Sequence, residues 1–507
     1  MWRHIADLPF LVILMGISAV SMFVPAFHAL ILNDHAVGRA FLYSGAIILI
    51  IVAMIAIATA QYRPRDAARS HLWAMVAAYL VLPVILAVPL TQPGAGEADF
   101  GAAWFEMLSS FTTTGATLFM PDELPQSVHL WRALVGWLGG FFVILMAFAV
   151  LAPLNLGGTE VISGRAPGHG ASGAAQISKV ADPSERIIRY TLVLFPAYGG
   201  LTLLLWVGLI MAGDTSFVAL CHAMSTLSTS GISPVGGLQN ANSGFVGEAF
   251  VFIVLITAIS RQFLTRGIGR QRDDRILNDV EVRLAMVLLA FVPTVLFLRH
   301  WLGADVAAAG PSGLTELLTT FWGGLFMTMS FLTTTGFESS HWHSAQVWSG
   351  MGAPGMVLIG LAIVGGGVAT TAGGVRLLRV YALIRHGERE LDRVIHPNSV
   401  GGSGQAARHL RRQGAYVAWV FFMLFAATIA VFTAALTLTS LEFEPALVLA
   451  LAALTTTGPL AGLASDTVFD FANLNGASLS VVGVAMVVGR VETLAILALL
   501  APDSWRR

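Results

Sequence analysis

LTTTGFES (332–339) sets three hydroxyls and a glycine between two long apolar stretches. The chain around it is 56% hydrophobic and 11% charged, with a mean hydropathy of +0.76. A soluble protein carries about 25% charged residues, so this composition demands lipid as the solvent for much of its surface. Crossing the hydrocarbon core takes about 20 apolar residues per helix. FLYSGAIILIIVAMIAIATA (41–60) and GAYVAWVFFMLFAATIAVFTAAL (414–436) meet that length. The class is therefore an all-α polytopic membrane protein. A barrel is excluded, because its strands alternate over about ten residues. One cysteine, Cys221, excludes an intrachain disulfide and a cysteine metal cluster. The N-terminal run MWRHIADLPFLVILMGISAVSMFVPAF reads as a first span rather than a cleaved leader.

Ten full spans are expected, at 6–27, 40–60, 70–92, 129–153, 186–212, 243–262, 282–303, 350–372, 413–438 and 478–500. Four shorter semi-apolar segments lie between them, near 100–114, 215–229, 314–335 and 443–457. With the N-terminus inside, only Arg39, Arg132 and Arg299 of the 28 basic residues fall outside, and Arg490 lies within a span. That bias puts both termini in the cytoplasm through the positive-inside rule. Acidic residues lean outward, among them Glu97, Asp99, Glu106, Asp122, Glu123 and Glu338. Such an imbalance concentrates cations at an outer vestibule; an ordinary solvated loop surface is the other reading.

The opening stretch recurs in every short segment: SFTTTGAT (110–117), TLSTSGIS (226–233), FLTTTGFE (331–338) and ALTTTGPL (453–460). The chain thus reads as four copies of span, short helix, polar loop and span, with two spans in front. Non-helical backbone survives at membrane depth only inside protein or beside a water-filled cavity. Short helices dipping inward would bring four Thr-Thr-Gly strands to one axis, where carbonyl rings replace the hydration shell of a cation. Glycine supplies the dihedrals that aim those carbonyls. Back-bonding of Ser and Thr to the preceding helical turn is the alternative for any single copy. Four copies at matched positions point to a pore lining.

On these motifs the sequence resembles the Trk/Ktr/HKT superfamily of potassium transporters, over residues 70 to 500. WLGGFFVILMAF (137–148), TTAGGVRLLRV (370–380) and GRVETLAIL (489–497) agree with it, and the two leading spans are similar to those of the TrkH-type bacterial uptake subunit. The resemblance implies a potassium filter at Thr113, Thr114, Gly115; Thr229, Ser230, Gly231; Thr334, Thr335, Gly336; and Thr456, Thr457, Gly458. All four glycines are present, which in this superfamily goes with potassium over sodium. Ser228, Ser230 and Pro459 depart from the shared pattern.

The eighth expected span holds Gly365, Gly366, Gly367, Gly373 and Gly374 around Thr370 and Thr371. Glycine costs about 1 kcal/mol against alanine inside a helix, so this stretch should unwind or kink. The resemblance implies an intramembrane gating loop here, below the filter. Close packing through small residues is the competing reading, while a phosphate loop lacks its GK[ST]. Arg490 is a charge within an apolar span, which costs at least about 2.5–3.5 kcal/mol on insertion scales. The family carries an arginine at this position facing the pore, where it acts with the gating loop. Glu492, two residues on, points elsewhere on a helix. HWH (341–343) reads as an exposed pair of histidines on an outer loop, and RGIGRQR (266–272) as a cytoplasmic basic loop.

The expected organisation is two N-terminal helices (1–69), pore repeat 1 (70–160), a linker (161–185), repeat 2 (186–265), a basic linker (266–281), repeat 3 with the glycine loop (282–380), a linker (381–412) and repeat 4 (413–507). The expected function is potassium uptake across a prokaryotic plasma (inner) membrane, gated by the glycine loop and the pore arginine. A sodium- or proton-coupled potassium symporter is the alternative. No enzymatic constellation such as His-Glu-x-x-His appears, no cofactor is expected, and potassium is the substrate. The resemblance further implies a homodimer seated on a cytosolic nucleotide-binding, TrkA-type regulatory ring. The arginine-rich segments 261–283 and 376–412 are its docking candidates or contact lipid headgroups; no nucleic-acid partner is expected.

Overall fold

The computed structural model describes residues 8–61, 67–154, 156–158, 183–265, 279–303, 314–350, 353–396, 412–464 and 471–500, and every regular element among them is helical. Seven helical stretches among these are long and apolar enough to cross a membrane: Phe10–Ile31, His35–Thr59, Arg69–Thr91, Gln126–Leu154, Glu185–Met211, Val280–Arg299 and Gly414–Thr437. Their ends follow from local chemistry. Asp34 caps the helix His35–Thr59 by accepting from the Val37 N–H at 3.2 Å. Asn475 does the same for Ser478 at 2.7 Å. The outer faces of these helices show bare Ile, Leu, Met and Phe, such as Ile50, Ile57, Leu192, Leu204 and Phe291. Such a surface is stable only against lipid.

Between the long helices run short buried ones. The helices that matter below are α1 (Ala67–Ala87), α2 (Phe100–Phe111), α3 (Gln126–Met146), α4 (Pro183–Met211), α5 (Ser216–Ser228), α6 (Gly244–Leu255), α7 (Val280–Gly303), α8 (Leu314–Leu332), α9 (Gly355–Val364), α10 (Leu377–Ile395), α11 (Arg412–Thr437), α12 (Phe443–Leu454) and α13 (Gly476–Val491). Each short helix packs against the helices before and after it: α2 against α1 and α3, α5 against α4 and α6, α8 against α7 and α9, α12 against α11 and α13. Neighbouring sets also touch, through α3 with α5, α6 with α8, α9 with Leu460–Ala464, and α13 with α2. The last contact closes a ring. The most apolar stretch of Gln126–Leu154 is 78% buried, against 28% for that of Glu185–Met211, so α3 lies inside the bundle and α4 on its rim.

Three expected spans come out differently. The stretch 243–262 is helical only to Leu255 and then tightens into a 3-10 turn, Ile256–Ala258. That turn presents the Ala258 carbonyl to the Gly367 N–H at 3.0 Å. The stretch 350–372 keeps a helix only over α9, and residues 365–376 are non-helical before α10 begins. Gly365 has φ 71, and a Cβ there would lie 2.2 Å from the Gly373 carbonyl, so no side chain fits that corner. The stretch 478–500 breaks at Glu492 (φ 68), whose carboxylate is drawn to two arginines. Residues 161–182 of the linker, 266–278 with the RGIGRQR loop, and 397–411 lie outside the described residues, as do both termini.

Candidate functional site

Four loops meet where the short helices end. Thr113, Thr229, Thr334 and Thr456 all take left-handed backbone, with φ of 56, 50, 56 and 55. Threonine adopts that state at a cost of about 1–3 kcal/mol, so four matched cases need a shared cause. The following residue supplies it. The N–H groups of Thr114, Ser230, Thr335 and Thr457 turn back to carbonyls of Ser109, Ser225, Ser330 and Ala452, at 2.8, 3.0, 2.8 and 2.8 Å. Each left-handed turn therefore sends the chain back along the end of its own helix.

The hydroxyls divide into two sets. Thr112, Ser228, Thr333 and Thr455 bond back to carbonyls one turn earlier, those of Leu108, Met224, Met329 and Leu451, at 2.8–2.9 Å. They also pair with the hydroxyls of Thr114, Ser230, Thr335 and Thr457, at 2.9, 3.0, 2.9 and 3.3 Å. Serine keeps this pairing, which explains why Ser228 and Ser230 fit the second copy. The remaining hydroxyls belong to the left-handed threonines. Those of Thr113, Thr229 and Thr456 are buried without a hydrogen-bond partner among the described residues. The fourth, on Thr334, accepts from the Gly373 N–H at 2.7 Å.

That bond places the glycine stretch 365–376 directly against the loops. A Cβ on Gly373 would lie 2.2 Å from the Thr455 carbonyl, so only glycine approaches this closely. The rest of the stretch is tied down from several directions. The Val368 N–H donates to buried Glu281 at 2.7 Å, and the Thr370 hydroxyl to the Ala258 carbonyl at 3.0 Å. Arg376 donates to the Gly367 carbonyl at 3.0 Å. Arg490, 5% exposed, donates from Nη1 to the Thr371 carbonyl at 2.7 Å. Glu492 does not serve Arg490 by a direct bond; it pairs with Arg379 at 2.7 Å and Arg376 at 3.6 Å. Arg379 itself stacks over the Phe421 ring at 3.7 Å.

Two buried glutamates brace the loops from behind. Glu106 pairs with Arg132 and accepts from the Leu118 N–H at 3.1 Å. Both side chains are buried, so neither belongs to the solvated outer charges that sequence alone assigns them to. Glu248 accepts from Trp322 Nε1 and the Ser339 hydroxyl, each at 2.8 Å, and from the Ser340 N–H at 2.7 Å. Other outward acids hold turns: Asp99 accepts from Gly101 N–H, and Glu123 from Met120 N–H. Glu338 lies nearer the loops, accepting from Gln239 Nε2 at 3.3 Å, and burial pushes its carboxyl above the usual carboxylate range. In HWH, Trp342 is buried and His343 exposed.

The four loops carrying the expected threonine, serine and glycine residues thus come together, the glycine stretch lies against them, and Arg490 lies against that stretch. Glu281, Arg376, Arg379 and Glu492 were not expected to anchor that stretch; charges inside or at the edge of apolar spans were the available signal. The comparisons with known proteins agree on one relationship. The model of TrkH, a cation transport protein family, matches residues 38–506. The Trk system potassium uptake protein TrkH of Vibrio parahaemolyticus is 27% identical over 505 residues, covering 97% of this chain and 98% of the relative. TrkH of Escherichia coli K12 is 26% identical, with 96% of each chain covered. Trk system potassium uptake protein TrkI of Halomonas elongata is 28% identical, covering 86% of this chain and 82% of its own length. The crystal structure of the potassium transporter TrkH from Vibrio parahaemolyticus superposes with a TM-score of 0.80 over 100% of both chains, at 25% identity.

Proposed function

The chain belongs to the TrkH family of cation transport proteins, and we propose that it takes up potassium through the axis on which its four loops meet. The observation that carries this reading is the matched set of left-handed threonines with their N–H groups turned back. Such a geometry leaves oxygens rather than donors for a dehydrated cation. In this reading Thr113 to Gly115, Thr229 to Gly231, Thr334 to Gly336 and Thr456 to Gly458 form the filter, and the segments 70–160, 186–265, 282–380 and 413–507 are its four repeats. The glycine stretch and Arg490 form the gate beneath. A guanidinium at that depth raises the barrier for cations, and the bound stretch obstructs the path.

Both termini face the cytoplasm of a prokaryotic plasma membrane, and the membrane potential drives uptake at roughly 2.3 kcal/mol per charge per 100 mV. The protein works as a homodimer on a cytosolic nucleotide-binding ring. The names of the relatives, which describe a potassium uptake system, support potassium as the cargo and a system of several components. The test is the reversal potential of purified protein in a bilayer, with potassium on one side and sodium on the other. Reversal near the potassium value, shifted toward sodium by Gly115→Ser, is expected. Equal permeability to both ions would remove the filter reading. Rubidium uptake that requires a sodium or proton gradient, with no current, would establish the coupled symporter instead; Glu281, the buried acid on the glycine stretch, makes Glu281→Gln the variant to examine then.

A further inference from the structure

The four loops do not close a uniform ring. A Cβ on Gly115 would lie 1.9 Å from the Ser230 carbonyl, one on Gly231 2.3 Å from the Thr335 carbonyl, and one on Gly458 2.8 Å from the Thr114 carbonyl. Gly115 and Gly231 thus pack on the next loop's carbonyl, whereas Gly458 comes first against the Ala116 N, 2.3 Å from its Cβ position, so both junctions of the fourth loop depart from the pattern. Gly336 should meet the Thr457 carbonyl and meets the Pro459 ring instead, at 3.0 Å. Pro459 also stands 3.2 Å from the Cβ position of Gly231, across the ring.

Backbone geometry explains these departures. Gly115, Gly231 and Gly336 have φ of 74, 66 and 79, and Gly458 lies outside that left-handed region. After the first three glycines the chain runs on without helix, whereas a helix restarts at Leu460 in the fourth loop. The Thr457 and Gly458 carbonyls accept from Leu460 and Ala461 N–H, each at 3.1 Å, as the first acceptors of that helix. The Gly458 N–H faces inward and donates to the Thr114 carbonyl at 2.6 Å. One residue pair therefore touches all three other loops, which is possible only across the axis.

We propose that Gly458 and Pro459 form the outer constriction of the ion path, with Pro459 as a size-determining residue, instead of contributing a fourth set of outer ligands. Three loops offer carbonyls at this level, and the fourth quadrant holds an N–H and an apolar ring. An entering ion passes beside Pro459, and the Gly458–Thr114 hydrogen bond must yield to it. This inference rests on the filter reading above.

Cysteine accessibility tests it, because the chain's single cysteine, Cys221, is fully buried and gives a silent background. Pro459 is partly exposed, so a side chain there is reachable. A charged methanethiosulfonate reagent added outside is expected to abolish rubidium flux through Pro459→Cys, and high external potassium to slow the modification. Pro459→Gly is expected to raise caesium permeability relative to potassium several-fold. Complete labelling of Pro459→Cys, verified by mass, with unchanged flux would overturn the proposal, as would an unchanged caesium ratio in Pro459→Gly. Gly115→Ser separates the two levels. If it alters potassium over sodium while both Pro459 variants do nothing, only the constriction fails; if it too does nothing, the filter fails with it.

Discussion

Thr113, Thr229, Thr334 and Thr456 show how a short motif becomes legible and where it stops being so. The four TTTG-like copies announce themselves in sequence because the back-bonding hydroxyl and the glycine each need a particular residue type, while the threonine between them takes left-handed backbone against its own preference. What the residue string does not separate is the job of each hydroxyl. Thr112 and its counterparts do what serine and threonine ordinarily do in helices, bonding the previous turn. The hydroxyl of the next residue makes no such bond: on Thr113, Thr229 and Thr456 it is buried without a partner among the described residues. Gly115→Ala should therefore lower rubidium flux in reconstituted vesicles and shift the reversal potential toward sodium, as Gly115→Ser does, while the protein still elutes as a single species. Left-handed backbone costs a side-chained residue about 1–2 kcal/mol, and the Ser230 carbonyl leaves the new methyl no room. Normal flux through that variant would contradict the packing described. Behind the same loop, Glu106 and Arg132 form a buried pair. Removing one partner from such a pair costs about 3–5 kcal/mol, against about 0–1 kcal/mol for an exposed one. Arg132→Ala should lower the thermal midpoint in detergent far more than Arg385→Ala, whose partner Glu388 is solvated. Equal shifts would mean that the buried pair does not brace the loop.

At the scale of elements, the glycine stretch was the clearest success and the clearest gap. Five glycines inside an apolar run foretell a broken helix, because each forfeits helix propensity. Nothing in that run reveals its anchors. Glu281 lies 87 positions before Val368, and Glu492 lies 113 positions after Arg379. Such partners are set by the packing of α7 on α10 and of both α10 and α13 on α11, so local periodicity carries no trace of them. In the same way α6 reads as a full span but stops at Leu255, and the Ala258 carbonyl of the turn that follows it is taken by the Gly367 N–H and the Thr370 hydroxyl of the glycine stretch. If those anchors hold the path shut, loosening one should leak. Glu492→Gln frees Arg376 and Arg379 from their common carboxylate, and basal rubidium flux in the absence of any cytosolic partner should rise. A fall in flux with unchanged stability would show that the carboxylate supports the open state instead.

For the whole molecule, composition alone established lipid as the solvent, and the described helices agree by their bare apolar rims. The fourfold motif foretold loops gathered on one axis, but not the helix contact that closes the ring. That contact joins α13 to α2, at opposite ends of the chain. The excess of outward acid proved to be a mixed population, since Glu106 is internal and Asp99 and Glu123 are spent on turns. Glu338 remains beside the loops with its carboxyl held above the usual range by burial. As outside pH falls, it accepts a proton earlier than a solvated carboxylate does, and its negative charge is lost. Uptake at low potassium should decline over that interval and recover as pH rises, while Glu338→Gln should flatten the profile. A profile identical in both would remove Glu338 from the cation's approach.

The bond from the Gly373 N–H to the Thr334 hydroxyl has one more consequence. A potassium ion held by that oxygen would face the positive end of the amide dipole, so the two ligands oppose each other on one atom. Linkage makes the opposition reciprocal. On the proposed filter, the cargo would act as an agonist of its own passage, and the bonded glycine stretch as an inhibitor intrinsic to the chain. Amide exchange at Gly373 should accelerate as potassium is raised at constant ionic strength. Exchange indifferent to potassium would mean that the ion and the closed loop do not share that oxygen.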